Sequence, residues 1–215
     1  MDIRPMSTFR RFELAERVNL GVEAILERLE KRKFRPLDDP RGGAVEETER
    51  FGWITCEHLF DTRFDLEKVF HDPYIVFALR MDKRKVPQNI FRAHLKIEER
   101  AIENATGKKV GPARRKELRE QVRLKLIERV MPSAAAYQVV WNPGSGIVWF
   151  GNTGEKACEC FVQQFEDTFE VALIAQTPRY VGLRILKGDA DPIDRAAKAA
   201  FSKRSPSYQL VGAAR

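Results

Sequence analysis

The chain has 215 residues, 43% of them hydrophobic and 10% aromatic, which supplies a real core for one large domain, or for one core domain with an appendage, and excludes wholesale disorder. No apolar run reaches the roughly 20 residues of a membrane span, and the opening MDIRPMSTFRRFEL lacks the apolar centre of a signal peptide. The formal charge of +7 favours an acidic partner, nucleic acid being the commonest for such a protein, and Cys56, Cys158 and Cys160 form no disulfide framework, so a cytoplasmic protein with no membrane partner is expected.

Residues 7–14 (STFRRFEL) are rich in strand formers. Over residues 19–31, Leu20, Val22, Ile25, Leu26 and Leu29 recur at three- and four-residue steps, predicting an amphipathic helix. Pro36 and the DDPRGG run at 38–43 end it in a loop. Residues 51–56 (FGWITC) read as a strand, His71-Asp72-Pro73 as a turn, and residues 74–81 (YIVFALRM) as a largely apolar, central strand. Pro87 suits the first turn of a helix running to about Ala105. Thr106-Gly107 stops that helix, residues 108–111 link, and Pro112 opens a second helix running to about Val130. The short link predicts an antiparallel helical hairpin.

Strand signals resume over residues 137–141. A turn at Asn142-Pro143-Gly144-Ser145-Gly146 and a strand over 147–150 complete a β-hairpin pattern. Residues 154–165 read as helix and 169–175 as a last strand, and beyond Pro178 the pattern fades into an Ala-, Ser-, Lys- and Arg-rich tail. The expected fold is α+β, with a mixed or antiparallel sheet core of two pseudo-equivalent half-domains. Residues 1–82 and 133–178 form that core, 83–132 are an inserted, projecting basic hairpin, and 179–215 are a C-terminal tail.

The charge is concentrated. The segment from Arg80 to Met131 carries 16 Lys/Arg against 7 Asp/Glu, a net +9, so the rest of the chain is net −2. Arg92, Lys96 and Arg100 are spaced i, i+4, i+8, as are Arg115, Arg119 and Arg123, so each triplet follows one helix face for about 12 Å. Phe91, Leu95 and Ile102 on the first helix, and Leu118, Val122, Leu126 and Val130 on the second, offer apolar stripes that can pack together. The candidate phosphate contacts are Lys83, Arg84, Lys85, Arg92, Lys96, Arg100, Lys108, Lys109, Arg114, Arg115, Lys116, Arg119 and Arg123. Such a surface predicts salt-dependent binding with little sequence preference. His94 is a further candidate contact near neutral pH. The plainer reading is a solvated hairpin, since Glu98, Glu99, Glu103, Glu117, Glu120 and Glu128 supply intrahelical partners.

Competing chemistry is thin. Gly151-Asn152-Thr153-Gly154-Glu155-Lys156 fails the spacing of a phosphate loop and reads as a turn with Thr153 as a candidate helix cap. Cys158 and Cys160, two apart on a helix, point about 200° from one another and make poor ligands for one metal, with Cys56-x-His58 distant in sequence. Glu13, Glu16, Asp38 and Asp39 could be imagined as a nuclease's metal ligands, but nothing in the sequence places them together. Trp53, Trp141 and Trp149 sit in predicted strands, where core packing is the simpler reading. No catalytic residue, metal or cofactor is expected.

Several features stand in one order: Gly52-Trp53, then YIVFALRMDKRKVP with its Lys85-Val86-Pro87 junction, the charged hairpin ending in Met131-Pro132, VVWNPGSGIVWFG, EKACEC and VALIAQTP. This order resembles the recombination-associated RdgC family of bacterial nucleoid proteins, as a short, C-terminally reduced member. The resemblance implies non-enzymatic, sequence-independent binding of duplex DNA, a homodimer that encloses the DNA, and restraint of recombinase access in the nucleoid. Family members tend to carry an aromatic after the Leu-Pro that closes the hairpin, where this chain has Ser133-Ala134-Ala135-Ala136. The alternatives are an adaptor that docks an acidic protein on the hairpin, or a metal-dependent nuclease.

Overall fold

The computed structural model describes residues 6–37 and 48–195. Asp38 and Asp39, with the rest of the DDPRGG run expected as a loop, lie outside the described residues. The chain divides into two units, Met1–Ala175 and Gln176–Arg215.

The first unit is built on an antiparallel sheet. Its strands are β1 (Arg10–Leu14), β2 (Glu49–Ile54), β3 (Phe70–His71), β4 (Tyr74–Lys83), β5 (Ser133–Asn142), β6 (Ile147–Phe150) and β7 (Leu173–Ala175). They run in the order β2-β4-β5-β6-β1-β7, with the short β3 paired to β4 across the Asp72-Pro73 turn. The two flanks of the chain interleave, because β1 lies between β6 and β7. The longest pairing joins β4 to β5, from Ile75↔Trp141 to Lys83↔Ser133. This pairing explains why β5 begins before the Tyr137 suggested by β-propensity: partner hydrogen bonds carry the strand through the alanines.

Strand alternation sorts β4 onto two faces. Ile75, Phe77 and Leu79 enter the main core, under α1 (Val22–Lys31) and α5 (Glu155–Phe169). Trp53, Phe77, Trp141, Phe150, Phe161 and Phe165 are fully buried there. Phe150 stacks on Phe161 at 4.3 Å between centroids, and Trp53 Nε1 donates to Thr168 Oγ1 at 2.7 Å. Helix α5 extends four residues past the expected end at Phe165. Phe161, Phe165 and Phe169 recur every fourth residue, so all three meet the sheet from one helical face. The last strand accordingly starts at Leu173 rather than Phe169.

On the opposite face, Ala78, Phe34 and Ile54 form a small cluster. A short helix, α2 (Leu66–Val69), capped by Asp65 Oδ1 accepting from Lys68 N at 3.1 Å, was not evident in the sequence.

Between β4 and β5 the chain forms α3 (Gln88–Thr106) and α4 (Pro112–Ile127). Gly107 ends α3 in the left-handed region (φ 67°), its N–H donating to Glu103 O at 2.8 Å, and Pro112 opens α4. Leu95, Leu118, Val122, Leu126 and Ile127 are buried with Val86 in a cluster of their own, joined by Phe91, Ile102 and Val130. The stripes expected from spacing are thus the contact surface of the hairpin.

The second unit contains α6 (Pro178–Ile185) and α7 (Asp191–Arg195), which the fading apolar pattern did not suggest. A Thr-Pro start was the available signal. Thr177 Oγ1 accepts from Tyr180 N at 3.2 Å, Pro178 takes the first turn, and Arg179 pairs with Asp194 at 2.6 Å.

Candidate nucleic-acid interface

The end of β4 and the cleft-facing side of α4 enclose a cleft of about 770 Å³. Its walls carry Lys83, Arg84 and Lys85 from the strand end, and Lys116, Arg119 and Arg123 from α4. Thr48, Val86, Gln88, Phe91, Glu120 and Ile127 complete the lining. Lys116, Arg119 and Arg123 stand at i, i+3, i+7, so one helical face presents all three. The cleft therefore concentrates positive charge in a concave site, where low-dielectric walls strengthen its field.

The expected cations do not share one environment. Lys85, Lys116, Arg119 and Arg123 are exposed, whereas Arg84 is only 8% exposed and its backbone N–H donates to Thr48 O at 2.7 Å. Arg115, the first member of the i, i+4, i+8 triplet, turns toward α3 and donates from Nε to Glu99 Oε1 at 2.7 Å. Arg114 pairs with Glu117 at 2.7 Å. Arg92, Lys96 and Arg100 are exposed on α3, away from the cleft lining, as is His94. Lys108 and Lys109 are exposed in the link. Exposed pairs such as Arg114–Glu117 contribute about 0–1 kcal/mol, so a phosphate can compete for them.

Two residues not among the expected contacts, Glu49 and Lys156, pair around the cleft residue Lys83 and with each other. Glu49 lies opposite Lys83 in the β2–β4 register and forms an ion pair with it. Its other carboxylate oxygen meets Lys156 Nζ, from the first turn of α5, at 2.5 Å. Hydrogen bonds from Lys156 and then Lys83 hold the Glu49 carboxyl below its ordinary value, and the same contact raises Lys156. Strand register pairs Glu49 with Lys83, and the packing of α5 on the sheet brings Lys156 to them.

The model of the RdgC family, described as "Putative exonuclease, RdgC", matches residues 7–179. The chain belongs to the RdgC family. No curated protein matches its sequence. The match covers both flanks of the sheet and the whole hairpin, and the ordered features from Gly52-Trp53 to VALIAQTP all lie within it.

Among the described residues, no group of three or more His, Cys, Asp or Glu is arranged to hold a metal ion. Cys158 is buried, and burial pushes the Cys56 thiol up to about 12. The cap of α5 is Gly154, not Thr153; Asn152 Oδ1 accepts from Gly154 N at 2.6 Å and shapes the turn. Trp53 and Trp141 are core residues, while Trp149 lies on the opposite face against Tyr74, with centroids 6.1 Å apart. Among the described residues, no helix is long and apolar enough to cross a membrane.

Proposed function

We propose that this RdgC-family protein binds double-stranded DNA without sequence preference, using the hairpin cleft as its principal phosphate contact. The cleft carries the reading: Lys85, Lys116, Arg119 and Arg123 converge on one concavity beside the buried Arg84 and the Glu49-paired Lys83. Cations in that arrangement neutralise phosphates and release counterions, which gives affinity without base readout. The family's recombination context makes restraint of recombinase access in the nucleoid the proposed role. A homodimer is the proposed assembly. Ile90 and Ile97, 45% and 62% exposed and two helical turns apart on α3, supply an apolar stripe consistent with self-association.

The deciding experiment is a titration of the full chain on random-sequence duplexes across salt. Binding at low salt, with log affinity falling linearly against log salt, is expected. No binding, or a flat slope, would sink the reading. An acidic protein partner would instead give binding to one protein that survives excess random DNA.

The family description names an exonuclease, and that gives the second reading. Incubation of linear duplex and supercoiled plasmid with Mg²⁺ or Mn²⁺ decides it. Intact DNA supports a binding role, and shortened or nicked DNA establishes the nuclease.

A further inference from the structure

Lys83 lines two concavities at once. One is the hairpin cleft. The other is a groove of about 300 Å³ with an apolar floor that includes Phe51, Met81 and Tyr137, and with Glu49, Asp82 and Lys156 among its charged lining. The two meet where β2, β4 and β5 end in register at Glu49, Lys83 and Ser133. Ser133 Oγ donates to Lys83 O at 3.1 Å and ties this edge together. Glu49 bridges the lysines on either side of it, Lys83 from β4 and Lys156 from α5. In the free protein one carboxylate therefore serves as the internal counterion of two cations.

We propose that the DNA backbone held in the hairpin cleft continues over Lys83 into this second groove, where Lys156 takes a further phosphate. Glu49 is the group that the phosphate displaces. This rests on the DNA-binding reading above and extends its surface from the hairpin to the start of α5. Glu49 limits affinity, because its charge opposes the incoming phosphate and must be separated from Lys83 and Lys156. Lys156 is 63% exposed on its side chain and Lys83 49%, so both can turn from the carboxylate to a phosphate without unpacking the core. Ion pairs near the surface are weak, so separating the two pairs lowers affinity several-fold without preventing binding.

The test is a salt titration of the full chain on a random duplex, with Lys156→Gln, Lys156→Arg and Glu49→Gln beside wild type. Unfolding curves and circular dichroism confirm that each variant is folded. Lys156→Gln is expected to weaken binding several-fold and to flatten the log–log slope by about 0.9, the value for one phosphate contact. Lys156→Arg is expected to restore both. Glu49→Gln is expected to tighten binding several-fold at low salt, as a structural residue would not. If wild type binds with a steep slope and either Gln variant matches it, the extension to α5 is overturned while the cleft reading stands. If wild type fails to bind, both fall.

Discussion

Arg80 and Asp82, two residues apart on one face of β4, meet in a two-pronged ion pair. Arg80 Nε donates to Asp82 Oδ1 and Nη2 to Oδ2, each at 2.7 Å. The guanidinium lies between the Phe34 ring at 4.1 Å and the Phe60 ring at 4.9 Å, and Nη1 reaches Leu59 O at 3.0 Å. Both side chains are almost wholly buried. The first cation of the basic block is therefore spent inside the protein, and it is absent from the cleft lining.

Removing one partner of this pair should be costly. Arg80→Met leaves a buried carboxylate without its partner, and a loss of about 3–5 kcal/mol is expected in urea unfolding. The DNA salt slope of the variant, measured where it is folded, should match wild type. A stable variant with a reduced slope would make Arg80 a DNA contact instead.

Gly52→Ala should destabilise through backbone crowding. An added Cβ would lie 2.6 Å from Phe34 Cα and 2.8 Å from Phe34 N. That segment is held against β2, with Phe34 N donating to Trp53 O at 2.8 Å and Trp53 N to Arg32 O at 3.2 Å. Such overpacking costs about 1–3 kcal/mol, read as a lower thermal midpoint. An unchanged midpoint would show that the 32–34 segment can move away.

Stability should fall in acid partly through Asp61. Burial raises its pKa, but hydrogen bonds from Thr55, Lys68 and the Arg63 backbone N–H together outweigh that effect and leave it below the ordinary 3.8. Thr55 Oγ1 donates at 2.7 Å and Lys68 Nζ at 2.9 Å. A lowered carboxyl contributes stability that is full above 3.8 and is lost as pH falls through the folded value. Asp61→Asn should be less stable than wild type at pH 7, and the gap should narrow below about pH 4. A gap independent of pH would mean that the carboxylate's charge contributes nothing.

Charge reversal should separate the two helices of the hairpin. Lys116→Glu, Arg119→Glu and Arg123→Glu together are expected to lower DNA affinity at least tenfold and to flatten the salt slope by up to about 2.7, three phosphates' worth. Arg92→Glu, Lys96→Glu and Arg100→Glu together should have the smaller effect, because they lie outside the cleft. The reverse ranking in the same titration would move the contact surface to α3.

The local signals of the chain were readable where structure depends on neighbours in sequence. The α3 boundaries and the start of α4 follow from Pro87, Gly107 and Pro112, and the hairpin's apolar stripes follow from three- and four-residue spacing, whereas α4 ends at Ile127 rather than at about Val130. Phe161, Phe165 and Phe169 misled the reading of 169–175, because phenylalanine favours strands on average while its spacing here is helical. Helices α2 and α6 depend on side-chain caps at Asp65 and Thr177 more than on an apolar face, and a periodicity reading does not register caps.

The α+β class, the basic hairpin and its apolar seam are legible in the chain alone, since helix period, strand alternation and turn chemistry are local properties. Which cations act together depends on the fold. Placement of β1 between β6 and β7, the fate of Arg80, the turn of Arg115 toward Glu99 and the meeting of Glu49, Lys83 and Lys156 all depend on register and packing between distant segments. Charge counted along a chain gives a total. Its field depends on which charges are buried or neutralised by a neighbour, and only the folded arrangement supplies those neighbours.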